Sequence, residues 1–108
     1  MARLGTGDAL FAPAHLDVEV VSALRGMARH NPTLLAAVPS ALRHLAEFPI
    51  RRMPLAPLLP RMWELQDNIT PYDAAYVALT EHLGGTLVTA DAKLATASGA
   101  RCTFDLMT

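Results

Sequence analysis

A parallel α/β sheet flanked by helices is the fold class this sequence predicts, and three observations predict it. Short β-favouring runs alternate with longer segments of helical periodicity. One run, Thr86-Leu87-Val88-Thr89, is continuous enough to read as a fully buried strand, and the segment before it carries a complete set of helix start and stop signals. The chain has 108 residues, of which 52% are hydrophobic and 18% charged, so it reads as one domain over residues 1–108 and not as a disordered tail.

The elements follow in order. Ala9-Leu10-Phe11-Ala12 is a short apolar run ending at a proline, a buried strand by pattern. From Pro13 to about Arg29 the chain reads helical, with Leu16, Val20, Ala23, Leu24 and Met27 on one face. His30-Asn31-Pro32 ends that helix, and Thr33 to Glu47 is a second one in which Pro39 predicts a kink or break. Phe48 to Met53 is a strand whose Pro49 suits an edge or a first position. Leu55 to Gln66 is helical by pattern, with Pro57 and Pro60 confined to a first turn or a break; it is apolar, and its Met62 and Trp63 suit either the core or a partner helix.

Thr70-Pro71-Tyr72-Asp73 then opens the best-signalled helix. Thr70 can cap, Pro71 fits the first helical position, and Asp73 faces the free N–H groups of the first turn. The helix runs to Leu83, where Gly84-Gly85 supplies a left-handed stop. After strand 86–89, Asp91 can cap a short helix from Ala92 to Ala97. Ser98-Gly99 turns the chain into a last strand, Arg101-Cys102-Thr103-Phe104.

Several chemistries are excluded. No apolar run reaches the roughly 18 residues needed to span a bilayer, and Met1-Ala2-Arg3-Leu4-Gly5 opens no signal peptide. One cysteine, Cys102, forms no internal disulfide, and His15, His30, His44 and His82 lack zinc-ligand spacing, which together favour a reducing cytosol. The glycines make no phosphate loop, and Ser22, Ser40 and Ser98 sit in no nucleophile elbow. A net charge of −1 gives no broad basic field; Arg51, Arg52, Arg61 and Arg101 can meet phosphates, but scattered arginines are more often plain solvated surface.

The acids carry the remaining chemistry. Asp91 directly follows a strand, at the carboxyl edge where ligands of parallel sheets sit; it reads as a helix cap or as a ligand of a hard cation. Asp73 has the same two readings. Glu19 and Asp17 border opposite edges of the first helix's apolar stripe, and periodicity does not choose between them. Converging carboxylates repel phosphate, so at a nucleic acid they need a divalent ion between, which would activate water against a phosphodiester.

Three segments together resemble the PIN-domain toxins of the VapC family. They are Asp67-Asn68-Ile69-Thr70-Pro71-Tyr72-Asp73-Ala74-Ala75-Tyr76-Val77-Ala78-Leu79, then Leu87-Val88-Thr89-Ala90-Asp91-Ala92-Lys93-Leu94, and Ala12 to Arg25 with its acidic Glu19. The resemblance spans essentially the whole chain, in family order. It implies a Mg²⁺-dependent endoribonuclease, with Mn²⁺ as the other suitable cation, that is the toxin of a type II toxin–antitoxin pair. Asp73 and Asp91 would be the metal ligands and Glu19 a supporting catalytic acid. Thr70 and Thr89 would hydrogen-bond around the ligands. The implied partners are RNA, a cognate antitoxin and a second copy of the chain, and the implied compartment is the cytoplasm.

One departure follows from the same resemblance. The family begins with a central strand ending in an Asp, and nothing in Met1 to Asp8 matches it. Met1 to Gly7 resembles the tail of the family's first helical region, and Asp8 precedes the first strand and takes no site role. The expectation is a three-layer PIN-like domain truncated at its N-terminus, its first strand absent and one acid short. The strands beside the gap would lose their shared partner or close onto each other. Two outcomes follow: a ribonuclease whose true start lies upstream, or a catalytically impaired remnant that only binds antitoxin or toxin subunits.

Overall fold

The computed structural model describes Ala2–Arg3 as backbone and residues 9–107 in full. By its contacts the chain forms two compact units, residues 1–13 with 50–108 and residues 14–49.

The first unit is built on a five-stranded sheet. Its strands are β1 (Ala2–Arg3), β2 (Leu10–Pro13), β3 (Ile50–Met53), β4 (Thr86–Thr89) and β5 (Thr103–Leu106), in the order β3-β2-β1-β4-β5. β2 pairs parallel with β3 and β4 parallel with β5, from Leu10↔Ile50 to Thr89↔Leu106. β1 runs antiparallel to both β2 and β4, so the other four strands all point the same way. This is the parallel-strand sheet flanked by helices that the sequence predicts.

The place between β2 and β4 is neither empty nor closed up. Ala2–Arg3 fill it, with Ala2 opposite both Phe11 and Leu87. Inner strand edges carry N–H and C=O groups that need partners, and the nearest chain supplies them. The connection, residues 4–9, is too short for a crossover, so the inserted strand has to be antiparallel to β2. The helical reading of Met1 to Gly7 therefore gives way at Ala2–Arg3; Asp8 lies outside the described residues.

The helices of this unit are short except one. A 3₁₀ turn, Ala56–Leu58, leads into α3 (Leu59–Glu64), so Pro57 and Pro60 both fall in first turns, where a missing N–H costs no helical bond. α4 (Pro71–Leu83) has the predicted ends: Thr70 Oγ1 accepts from Asp73 N at 3.3 Å, and Gly84 closes the helix at φ 67°. A final helix, α5 (Ala92–Ala95), is one turn long, and β5 starts two residues later than its sequence pattern suggested.

The core of the unit follows from α4. Ala74, Ala75, Val77, Ala78, Leu79 and Thr80 are all buried, because this helix packs on β1, β2, β4 and α3 at once. One cluster joins Leu65, Ile69, Ala74, Val77, Leu87 and Leu94; a second joins Phe11, Leu58, Ala78 and Leu79. The single buried polar side chain among the described residues, Thr80, bonds its hydroxyl to the Tyr76 carbonyl at 2.7 Å. β4 is less enclosed than its sequence suggested, since only Leu87 is fully buried. Met62 packs into the core, whereas Trp63 stays 69% exposed.

The second unit is a helical hairpin of α1 (Leu16–Ala28) and α2 (Pro32–Glu47). The first helix begins three residues later than expected, because Pro13 is still the last residue of β2. Asn31 caps α2 through its side chain, accepting from Leu34 N at 3.1 Å, with Pro32 at the first position. α2 runs through Pro39 unbroken; only the hydrogen bond that Pro39 cannot donate is lost. The apolar stripe of α1 is not a buried face. Ala28 alone is buried, and Met27 is 59% exposed, since two helices have only one mutual interface to cover.

Candidate functional site

Two aspartates meet at one pocket at the carboxyl edge of the sheet, and the chain path explains why. Gly84-Gly85 reverses the chain between α4 and β4, with Gly85 N bonded to Thr80 O at 3.1 Å. Asp73 lies 11 helical residues before Gly84, about 16 Å at 1.5 Å each. Asp91 lies 6 residues beyond Gly85, about 20 Å at 3.3 Å each. The start of α4 and the end of β4 are thereby level. Leu94, buried against Val77 and Leu87, holds α5 to this edge. The resulting pocket, about 200 Å³, is lined by Asn68, Ile69, Thr70, Asp73, Asp91, Lys93, Leu94 and Ala97.

The local bonds fix both acids. Asp91 Oδ1 accepts from Lys93 N at 2.9 Å and Leu94 N at 3.3 Å, the N-cap the sequence predicts. Both bonds fall on Oδ1, so capping leaves Oδ2 for another partner. The Thr89 hydroxyl accepts from Asp91 N at 3.1 Å, which anchors the backbone of the same residue from the strand side. Thr70 does the equivalent for Asp73. Thr70, Asp73 and Asp91 are therefore brought together, with Thr89 directly behind Asp91. Glu19 belongs to the helical hairpin, where its carboxylate lies 3.3 Å from His15 Nε2. Within the sheet unit no third His, Cys, Asp or Glu among the described residues joins the pair to form a metal-holding group.

Sequence reasoning missed three features here. Asn68 and Lys93 line the pocket; each was inside a quoted motif but carried no signal of its own. The third is an ion-pair clamp between α3 and α4. Arg61 Nε and Nη2 bond Glu81 Oε1 and Oε2 at 2.7 and 3.1 Å, and Nη2 also bonds the Gly99 carbonyl at 2.6 Å. Glu81 Oε2 accepts further from Arg101 N at 2.7 Å. Burial pushes the Glu81 carboxyl up, but the bonds from Arg61 and Arg101 and their charges outweigh it and hold the group below its ordinary value. Arg61 is thus committed to structure and not to phosphate. Burial, aided by the Glu81 charge, pushes the Cys102 thiol up, against any role as a nucleophile.

A parallel-strand sheet that carries one acid at the start of a helix and another just past a strand, on one edge pocket, defines a PIN-like α/β protein. No protein-family model matches the chain, and no solved structure matches it. Whole-protein relatives do. It is 36% identical over 112 residues to ribonuclease VapC12 of Mycobacterium tuberculosis (strain ATCC 25618 / H37Rv), covering 99% of this chain and 83% of that one. Ribonuclease VapC3 of the same strain is 43% identical over 89 residues, 82% of this chain and 65% of its own. Ribonuclease VapC9, again of that strain, is 36% identical over 100 residues, with 93% and 79% covered. The chain belongs to the VapC family. Among the described residues no helix is long and apolar enough to cross a membrane.

Proposed function

We propose that this chain is a metal-dependent endoribonuclease, the toxin of a type II toxin–antitoxin pair, and that Asp73 and Asp91 are its metal ligands. The observation that carries the reading is their convergence on one pocket in a chain whose relatives are ribonucleases. The donor set suits Mg²⁺, or Mn²⁺ in its place, because such ions take one or two carboxylates and complete their shell with water and phosphate. When bound, the cation supplies Lewis-acid activation of water and offsets charge at the scissile phosphate.

The chain's own groups prepare that site. Asp91 is held from both sides, by the Thr89 hydroxyl at its N–H and by two backbone donors on Oδ1, so its second oxygen is presented in one orientation. Thr70 plays the matching part at the first turn of α4. By the family resemblance, Glu19 is the supporting acid. RNA is the substrate, a cognate antitoxin and a second copy of the chain are the protein partners, and the cytoplasm is the compartment.

The experiment is cleavage of cellular RNA by the purified chain with Mg²⁺. Asp73→Asn and EDTA should each abolish cleavage. Cleavage that survives either one overturns the metal mechanism. A folded native chain that leaves RNA intact but captures its antitoxin would instead establish the impaired, binding-only remnant.

A further inference from the structure

We infer that Lys93 is a substrate-binding residue, holding an RNA backbone phosphate beside the one cleaved at the Asp73–Asp91 pocket; the inference rests on the ribonuclease reading above. Lys93 is the sole lysine of the chain and the one cation among the described residues that line this pocket. Its backbone is pinned, since its N–H donates to Asp91 Oδ1 at 2.9 Å, and the residue is exposed. The charged end thus hangs on a fixed root two residues from one acid.

The electrostatics call for such a group. Two carboxylates on one small pocket repel a polyanion, and a single divalent ion covers the phosphate it touches but not its neighbours along the strand. Arg61 is occupied by Glu81 and the Gly99 carbonyl. Among the lining groups Lys93 is left to meet the adjacent phosphate. A flexible ammonium suits that task, because it acts as a point charge and needs no fixed bidentate geometry.

The test measures binding of a short single-stranded RNA of mixed sequence to Asp73→Asn, which should not cleave, and to Asp73→Asn/Lys93→Gln, across a salt series. Each phosphate neutralised on a single strand contributes about 0.7 to the slope of log K against log salt. The Lys93→Gln change should therefore make the slope shallower by about 0.7 and weaken low-salt binding about threefold, as for an exposed charge contact. Lys93→Arg should restore the slope. In the active protein Lys93→Gln should raise KM with kcat nearly unchanged. A residue of purely structural importance would change the melting temperature and leave the salt slope alone. An unchanged slope with RNA still bound, and still cleaved by the native chain, overturns the role of Lys93 while the ribonuclease reading stands. No RNA binding and no cleavage by the native chain overturn both.

Discussion

Replacing Glu81 by Gln tests how the sheet unit is held together. Glu81 and Arg61 are only 15% and 20% exposed, and their bidentate pair links α3 to α4. The same guanidinium reaches Gly99 and the same carboxylate reaches Arg101 N, so the pair also ties down the turn that feeds β5. Gln keeps the shape but has one acceptor where Glu has two, and its amide would present N–H groups to N–H donors. Hydrogen bonds to charged groups contribute roughly 1.5–3 kcal/mol each, and the remaining exposure screens them, so the loss should be about 2 kcal/mol. A chain of this size moves about 4–8 °C per kcal/mol, which places the melting temperature of Glu81→Gln about 8–16 °C below native. The pH dependence has a definite sign. The folded-state pKa of Glu81 lies below the ordinary 4.5, so its stabilisation is complete above that value and is lost as pH falls through the folded pKa. Thermal melts followed by circular dichroism should therefore show the native and Gln proteins far apart near neutrality and converging as pH falls through the folded-state pKa of Glu81, below 4.5. A gap under about 2 °C at neutrality, or one that stays constant into acid, would refute the assignment.

Two further substitutions separate local structure from chemistry. Asn caps helices about as well as Asp, so Asp91→Asn should stay within ~0.5 kcal/mol of native stability yet lose RNA cleavage, while Asp91→Ala should lose cleavage and about 1 kcal/mol together. Equal activity of Asp91→Asn and native in an RNA cleavage assay would remove Asp91 from the metal site. Gly84→Ala should cost about 1 kcal/mol in urea denaturation from backbone strain alone, since φ is 67° and a Cβ there would meet nothing within 4 Å; no change would show that the α4 stop tolerates a side chain.

Much of this was legible in the sequence wherever the cause was local. The cap of α4, its glycine stop, the extent of β4 and the cap at Asp91 each depend on residues within four positions of one another, and each stands where the pattern put it. What escaped was non-local. β1 is a two-residue strand with no pattern to read; it exists because two inner edges need partners. The clamp joins Arg61 to Glu81 across 20 positions, and neither side chain signals the other. The stripe on α1 looked like a core face because periodicity reports amphipathicity and not what covers the face.

Helix cap and metal ligand were set against each other by the sequence, but under the proposed metal site the two roles are compatible at Asp91. A carboxylate has two oxygens. At Asp91 one of them is consumed by the α5 backbone, which fixes the side-chain torsions and aims the other. If Asp91 holds the proposed cation, a carboxylate already locked would lose little rotational freedom on binding it, whereas a freely rotating one would have to be ordered at that moment. The same cap ties Asp91 to α5, and Leu94 of α5 is buried in the same core cluster as Val77 of α4, the helix that carries Asp73. The spacing of the two acids therefore depends on this shared hydrophobic cluster as well as on the chain path. A substitution such as Leu94→Ala would alter the site without touching either carboxylate.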